Sequence, residues 1–151
     1  MSRLLVLDSG PLGLITQPKI SQPVVAINLW LVRALRSGDS VLVPAIVYYE
    51  IRRELLRAQK SVGLARLDAF VMSDVRRYLH LTDEALHLAA ELWARSRREG
   101  RPTSTTWDLD IDVILAAQAL TCETGSELVV VTTNPRHLQP FVNAQLWNEM
   151  G

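Results

Sequence analysis

The chain has 151 residues, 48% of them hydrophobic, with Lys+Arg and Asp+Glu balanced at 16 each. That length supports one domain, residues 1–151, with a real core, and is short for two. Zero formal charge supplies no global field toward nucleic acid, so any polyanion binding has to come from a local patch. The single cysteine, Cys122, excludes an internal disulfide and a cysteine-based zinc site and fits a reducing compartment. Met1-Ser2-Arg3 leads straight into a short apolar run, and no window approaches about 18 consecutive apolar residues. The expectation is a soluble, cytoplasmic protein with no secretory leader and no membrane span.

In chain order, Leu4-Leu5-Val6-Leu7 has the length and bulk of a strand buried on both faces, and Asp8-Ser9-Gly10-Pro11 ends it with turn chemistry. Thr16 to Pro23 reads as a loop. From Val24 to Arg36, Ile27, Leu31, Ala34 and Leu35 recur at helical spacing, and Ser37-Gly38-Asp39 stops that helix. Val41-Leu42-Val43 is a second buried strand, ended by Pro44, and a helix follows from about Ala45 to Gln59. Leu64 to Ser73 reads as another helix and Tyr78 to Leu81 as a third strand. Thr82 is the expected N-cap of a helix running to about Glu99, terminated by Gly100-Arg101-Pro102. Thr103 to Thr106 is an expected loop, and an alanine-rich helix runs from Asp110 to Thr121. Leu128-Val129-Val130-Val131-Thr132 is the strongest strand signal, closed by Thr133-Asn134-Pro135, with a last strand near Ala144 to Trp147. This alternation predicts a doubly wound α/β domain with a mostly parallel sheet flanked by helices on both sides.

Three acids stand where solvation alone does not explain them. In an open α/β sheet, ligands bind just beyond the carboxyl ends of the strands, which is where Asp8 falls. Glu50 follows the apolar lead-in Pro44-Ala45-Ile46-Val47-Tyr48-Tyr49, one or two turns into a helix that leaves a central strand. Asp112 immediately precedes Val113-Ile114-Leu115-Ala116-Ala117. Taken singly, an acid in a helix first turn is a dipole stabiliser. Taken together at one sheet edge, three carboxylates repel unless cations neutralise them, and an all-oxygen cluster suits Mg²⁺ or Mn²⁺. Such ions hold phosphate oxygens and activate water for in-line attack on a phosphodiester.

These residues also carry a resemblance. Leu5-Val6-Leu7-Asp8-Ser9-Gly10-Pro11-Leu12, Val43-Pro44-Ala45-Ile46-Val47-Tyr48-Tyr49-Glu50-Ile51, Asp112-Val113-Ile114-Leu115-Ala116-Ala117 and Val130-Val131-Thr132-Thr133-Asn134-Pro135-Arg136-His137-Leu138 resemble, in order, the motifs of PIN-domain proteins. In size and layout the chain is most similar to the VapC-like toxins of prokaryotic toxin–antitoxin pairs. The resemblance implies a PIN-like three-layer α/β/α domain and a Mg²⁺- or Mn²⁺-dependent endoribonuclease that cuts RNA by water attack. It implies Asp8, Glu50 and Asp112 as the metal-binding acids, with an antitoxin protein and a second copy of the chain as partners. The departure lies in the fourth motif, where family members often have an acid and this chain has His137, leaving Asn134 as the nearest polar candidate. Asp110 is a candidate to compensate, although helix residues two apart point in different directions. Ser9 and Thr133 are supporting candidates through their hydroxyls. The missing acid motivates a second reading, a PIN fold that binds RNA or a partner protein with little catalysis. A nucleotide-binding α/β domain is disfavoured, because neither Gly-rich phosphate-loop motif occurs.

Arginines cluster at Arg52, Arg53 and Arg57, at Arg76 and Arg77, and at Arg95, Arg97, Arg98 and Arg101. Most read as solvated helix faces with acidic neighbours. Arg52 and Arg53 are the candidates for RNA or partner contact, because they share a helix with Glu50. The four tryptophans are scattered, which disfavours an aromatic-lined sheet surface for RNA, and Trp107 stands out as a lid or base-stacking candidate.

Overall fold

The computed structural model describes residues 2–100, 106–122 and 125–150, without the side chains of residues 106 and 107. The loop expected over Thr103 to Thr106, apart from the backbone of residue 106, lies outside the described residues. So do Arg101 and the side chain of Trp107.

Five strands, β1 (Arg3–Leu7), β2 (Ser40–Pro44), β3 (Tyr78–Leu79), β4 (Glu127–Thr132) and β5 (Ala144–Leu146), form one sheet in the order β3-β2-β1-β4-β5. All four pairings are parallel. Six helices flank it: α1 (Ser9–Thr16), α2 (Gln22–Arg36), α3 (Ala45–Arg57), α4 (Ser61–Met72), α5 (Asp83–Arg98) and α6 (Thr106–Leu120). The result is the expected three-layer α/β/α architecture. β1 is central, with Leu5 opposite Val41 on one side and Val129 on the other, and Leu5, Val6 and Leu7 are wholly buried. An unbroken apolar run is what such a position demands. The chain winds outward from β1 through β2 to β3, then returns to the other side of β1 as β4 and β5. The reversal places a topological switch point between β1 and β4.

Three elements differ from expectation for identifiable reasons. Asp8-Ser9-Gly10-Pro11 is a helix start, with Asp8 as the N-cap of α1, its carboxylate accepting from Ser9 N. Pro11 lies in the first turn, where a missing N–H costs nothing. A Cβ on Gly10 would stand 2.5 Å from Thr133 Oγ1, so only glycine lets α1 leave the crowded sheet edge at this point. α6 begins at Thr106, one turn earlier than its apolar stretch indicates. β3 is only two residues long.

The main core packs Val43, Val47, Leu67, Leu115 and Val129 to Val131 around β1. A second cluster joins α5 to α6 through Ala85, Ala89 and Leu92 against Leu109, Val113, Ala116 and Ala117. α6 therefore buries residues toward both the sheet core and α5, which is why it reads as apolar nearly all round. Arg77, expected on a solvated face, is instead buried. Its guanidinium donates to Phe70 O at 2.9 Å, Ser73 Oγ at 2.6 Å and Val41 O at 3.4 Å, tying the end of α4 to β2. Among the described residues no helix is long and apolar enough to cross a membrane.

The entry into α3 is held by a distant residue. Pro44 stands at its N-cap and offers no side-chain hydrogen bond. The buried Gln118 of α6 fills that role: its Oε1 accepts from Ile46 N at 3.1 Å while its Nε2 donates to Leu79 O at 2.9 Å. One amide thus fixes α3 and the end of β3 to α6. Gln118→Leu leaves both backbone groups unpaired in the interior. It is expected to cost about 1–3 kcal/mol, read as a lower urea midpoint at unchanged slope.

Candidate functional site

The carboxyl end of β1 delivers Asp8 into a cleft of ≈ 230 Å³ that Ser9, Glu50, Asp108, Ile111, Asp112 and His137 complete. Asp8 is pinned on both oxygens. Oδ1 accepts from Ser9 N at 2.7 Å and Oδ2 accepts from Thr132 Oγ1 at 2.8 Å. The Thr132 hydroxyl in turn accepts from Asn134 N at 3.0 Å. Thr132 is wholly buried at the end of β4, so the carboxylate's orientation is set by the strand pairing itself.

Glu50 enters from α3, and its Oε1 is buried without a hydrogen-bond partner. Asp108 and Asp112 enter from α6, spaced four residues apart and so on one helix face. His137, in the short 3-10 turn Pro135–His137, places Nδ1 3.9 Å from Asp112 Oδ2, an ion pair when the imidazole is protonated.

The electrostatics follow from this crowding. Burial, followed by the charges of Asp8, Asp108 and Glu50, pushes the Asp112 carboxyl up to about 7. Glu50 is also raised, first by burial and then by Asp8, with Ser9 and Arg53 pulling it back. A hard divalent cation would relieve both penalties. The donor chemistry fits one: carboxylate oxygens from three elements, one of them the orphaned Glu50 Oε1. The set is open rather than gathered. Among the described residues no three His, Cys, Asp or Glu side chains stand close enough together to hold an ion as they are.

Asp8, Glu50 and Asp112 thus converge, with Ser9 beside them. Asp110 does not line the cleft, since it lies two residues from Asp112 on the same helix. Thr133 is exposed and packs against Gly10, and Asn134 contributes its backbone N–H rather than its amide. Arg52 is engaged elsewhere: its Nη1 donates to Asp68 at 3.0 Å and to the Tyr48 hydroxyl at 3.0 Å, joining α3 to α4. Arg53 lies over the Tyr49 ring, 5.2 Å from its centroid.

Sequence reasoning missed Asp108, Thr132 and Gln118. The four-residue spacing of Asp108 and Asp112 was the available signal, hidden because the helix was started too late. Thr132 looked like any strand residue, and nothing local marks Gln118.

No family model matches the sequence, and no curated protein matches it. Solved structures do. A chain in VapBC2 from Rickettsia felis bound to a DNA fragment from its promoter superposes with TM-score 0.66 at 16% identity, covering 95% of this chain and 98% of that one. VapBC-1 from nontypeable Haemophilus influenzae gives 0.67 at 15% identity, with 97% and 99% covered. FitAcB from Neisseria gonorrhoeae gives 0.68 at 16%, with 97% and 99% covered. The fold is therefore the PIN-like α/β/α fold of these structures, matched over nearly the whole length of both chains.

Because Asp112 is raised from 3.8 to about 7, its contribution to stability is full below the unfolded value and is lost as pH rises through about 7. Asp112→Asn removes the penalty on the charged form. Scanning calorimetry in EDTA is expected to show this variant melting a few degrees above the parent at pH 8 and close to it at pH 4.

Proposed function

We propose that this protein is a divalent-metal-dependent endoribonuclease of the toxin type, with Asp8, Glu50, Asp108 and Asp112 facing Mg²⁺ or Mn²⁺. The observation that carries the reading is the cleft itself. Four carboxylates from β1's end, α3 and α6 line one cleft at the switch point, and one buried oxygen lacks a partner. Bound there, the ion would polarise phosphate oxygens and lower the pKa of an attacking water.

The chain's own residues do the rest. Asp8, held by Ser9 N and Thr132 Oγ1, keeps a fixed orientation and so loses little freedom on binding. Glu50 keeps a free lone pair at Oε1, aligned by the Gln118 clamp on its helix. Asp112, one turn from Asp108 on the same face of α6, adds a second carboxylate from that helix to the set that would hold the ion. His137, 3.9 Å away, is placed to donate to a phosphate oxygen when protonated. The likeness to VapBC toxin–antitoxin complexes supports an antitoxin protein as partner. RNA as substrate and a second copy of the chain as dimer partner complete the proposal.

A second reading, a PIN-fold module that binds RNA or protein with little catalysis, is favoured by the openness of the cleft: among the described residues no three of its acids stand close enough together to hold an ion as they are, and His137 stands where a further acid was expected.

Incubation of the purified chain with RNA separates the two. Cleavage is expected with Mg²⁺ or Mn²⁺, none in EDTA, and a loss of at least about a hundredfold in Asp8→Ala. Asp108→Asn should also lower the rate, whereas Asp110→Asn should leave it unchanged. Full cleavage in EDTA or by Asp8→Ala overturns the metal-site assignment. Binding without cleavage selects the second reading.

A further inference from the structure

α3 carries an exposed aromatic one residue before the cleft's Glu50. Tyr49 is 54% exposed. The Arg53 guanidinium, one turn on, lies 5.2 Å from the Tyr49 centroid. Arg53 is also close enough to Glu50 for its charge to lower that carboxyl's pKa, so the stacked pair borders the acid cleft. Among the described residues neither the Tyr49 hydroxyl nor the Arg53 guanidinium has a hydrogen-bond partner, and the charge of Arg53 acts on Glu50 without a direct ion pair.

The neighbouring Arg52 is the contrast, with its guanidinium spent on Asp68 and Tyr48. A second stack, Arg97 over Trp93 on α5, sits on a helix that contributes no residue to the cleft. A cluster of carboxylates repels an RNA backbone, and a nearby cation offsets that repulsion. Arginine held on an aromatic face is pre-oriented, with its donors still available to a phosphate. The open part of the ring and the outer face of the guanidinium offer flat surfaces on which an unpaired base can lie.

We propose that Tyr49 and Arg53 form a stacking platform for an unpaired nucleotide flanking the scissile phosphate. The proposal rests on the ribonuclease reading and assigns two substrate-positioning residues beside that site. A base paired in a duplex presents only its edge, so the platform has no face to stack on.

The test is RNA binding by the full chain carrying Asp8→Asn, which silences cleavage, followed by fluorescence anisotropy with Mg²⁺ present. One labelled oligonucleotide is used single-stranded and again annealed to its complement. Adding Tyr49→Ala is expected to weaken single-strand binding about tenfold, and Tyr49→Phe to stay within about twofold. Arg53→Gln is expected to weaken binding and to reduce the salt slope by about 0.7. Duplex binding should not respond to Tyr49→Ala. Unchanged single-strand binding in Tyr49→Ala overturns the platform, as does an equal loss in Tyr49→Phe or on the duplex. If instead Tyr49→Ala lowers the sedimentation coefficient with RNA binding intact, the face belongs to a second copy and the platform is overturned. Tyr49-dependent binding with no cleavage by the unaltered chain supports the platform while overturning the nuclease.

Discussion

The parallel pairing of β1 with β4 sets the ends of two strands side by side although they lie 124 residues apart in the chain, and one hydrogen bond from Thr132 to Asp8 closes that end. The rest of the site is placed relative to this junction. α1 has to leave β1 at once because Asp8 is both the strand's last polar group and the helix cap. It can do so only because Gly10 leaves room for Thr133 on the neighbouring turn. A buried central strand of three apolar residues makes the pairing stable, and that stability orients the carboxylate.

The same junction concentrates negative charge. Asp112 and Glu50 are both held above their ordinary carboxylate range by burial and by each other's neighbours, so the cleft works against the fold when its acids are ionised. The cost is met away from the cleft, in the two apolar clusters and in polar clamps such as Gln118 and Arg77. Strain gathered at one sheet edge and supported by a rigid surround is the ordinary arrangement of a functional site.

Arg52 and Arg53 show how far adjacent, chemically identical residues can diverge. One turns toward α4 and meets Asp68 and Tyr48, while the other lies on Tyr49 beside Glu50. Their helix phases differ by about 100°, and what each phase faces depends on where α4 packs. Sequence reading could nominate both and could not separate them.

The strands and most helices were legible from residue order alone, because buried parallel strands must be continuous apolar runs and helices must repeat their apolar faces. Asp8, Glu50 and Asp112 were legible for a related reason: each follows or precedes an apolar run whose end the fold places at the sheet's carboxyl edge. Thr82 was legible as a cap because capping is a local interaction. What only the tertiary structure decided is everything that depends on a long-range neighbour. Asp108 became a cleft residue once α6 began a turn early. Thr132 became the partner of Asp8 through strand pairing, and Gln118 became the cap of a helix 72 residues away in sequence. Local propensity acts over one or two turns of chain, whereas hydrogen bonds, charge and burial act through space, so no window of sequence contains both partners.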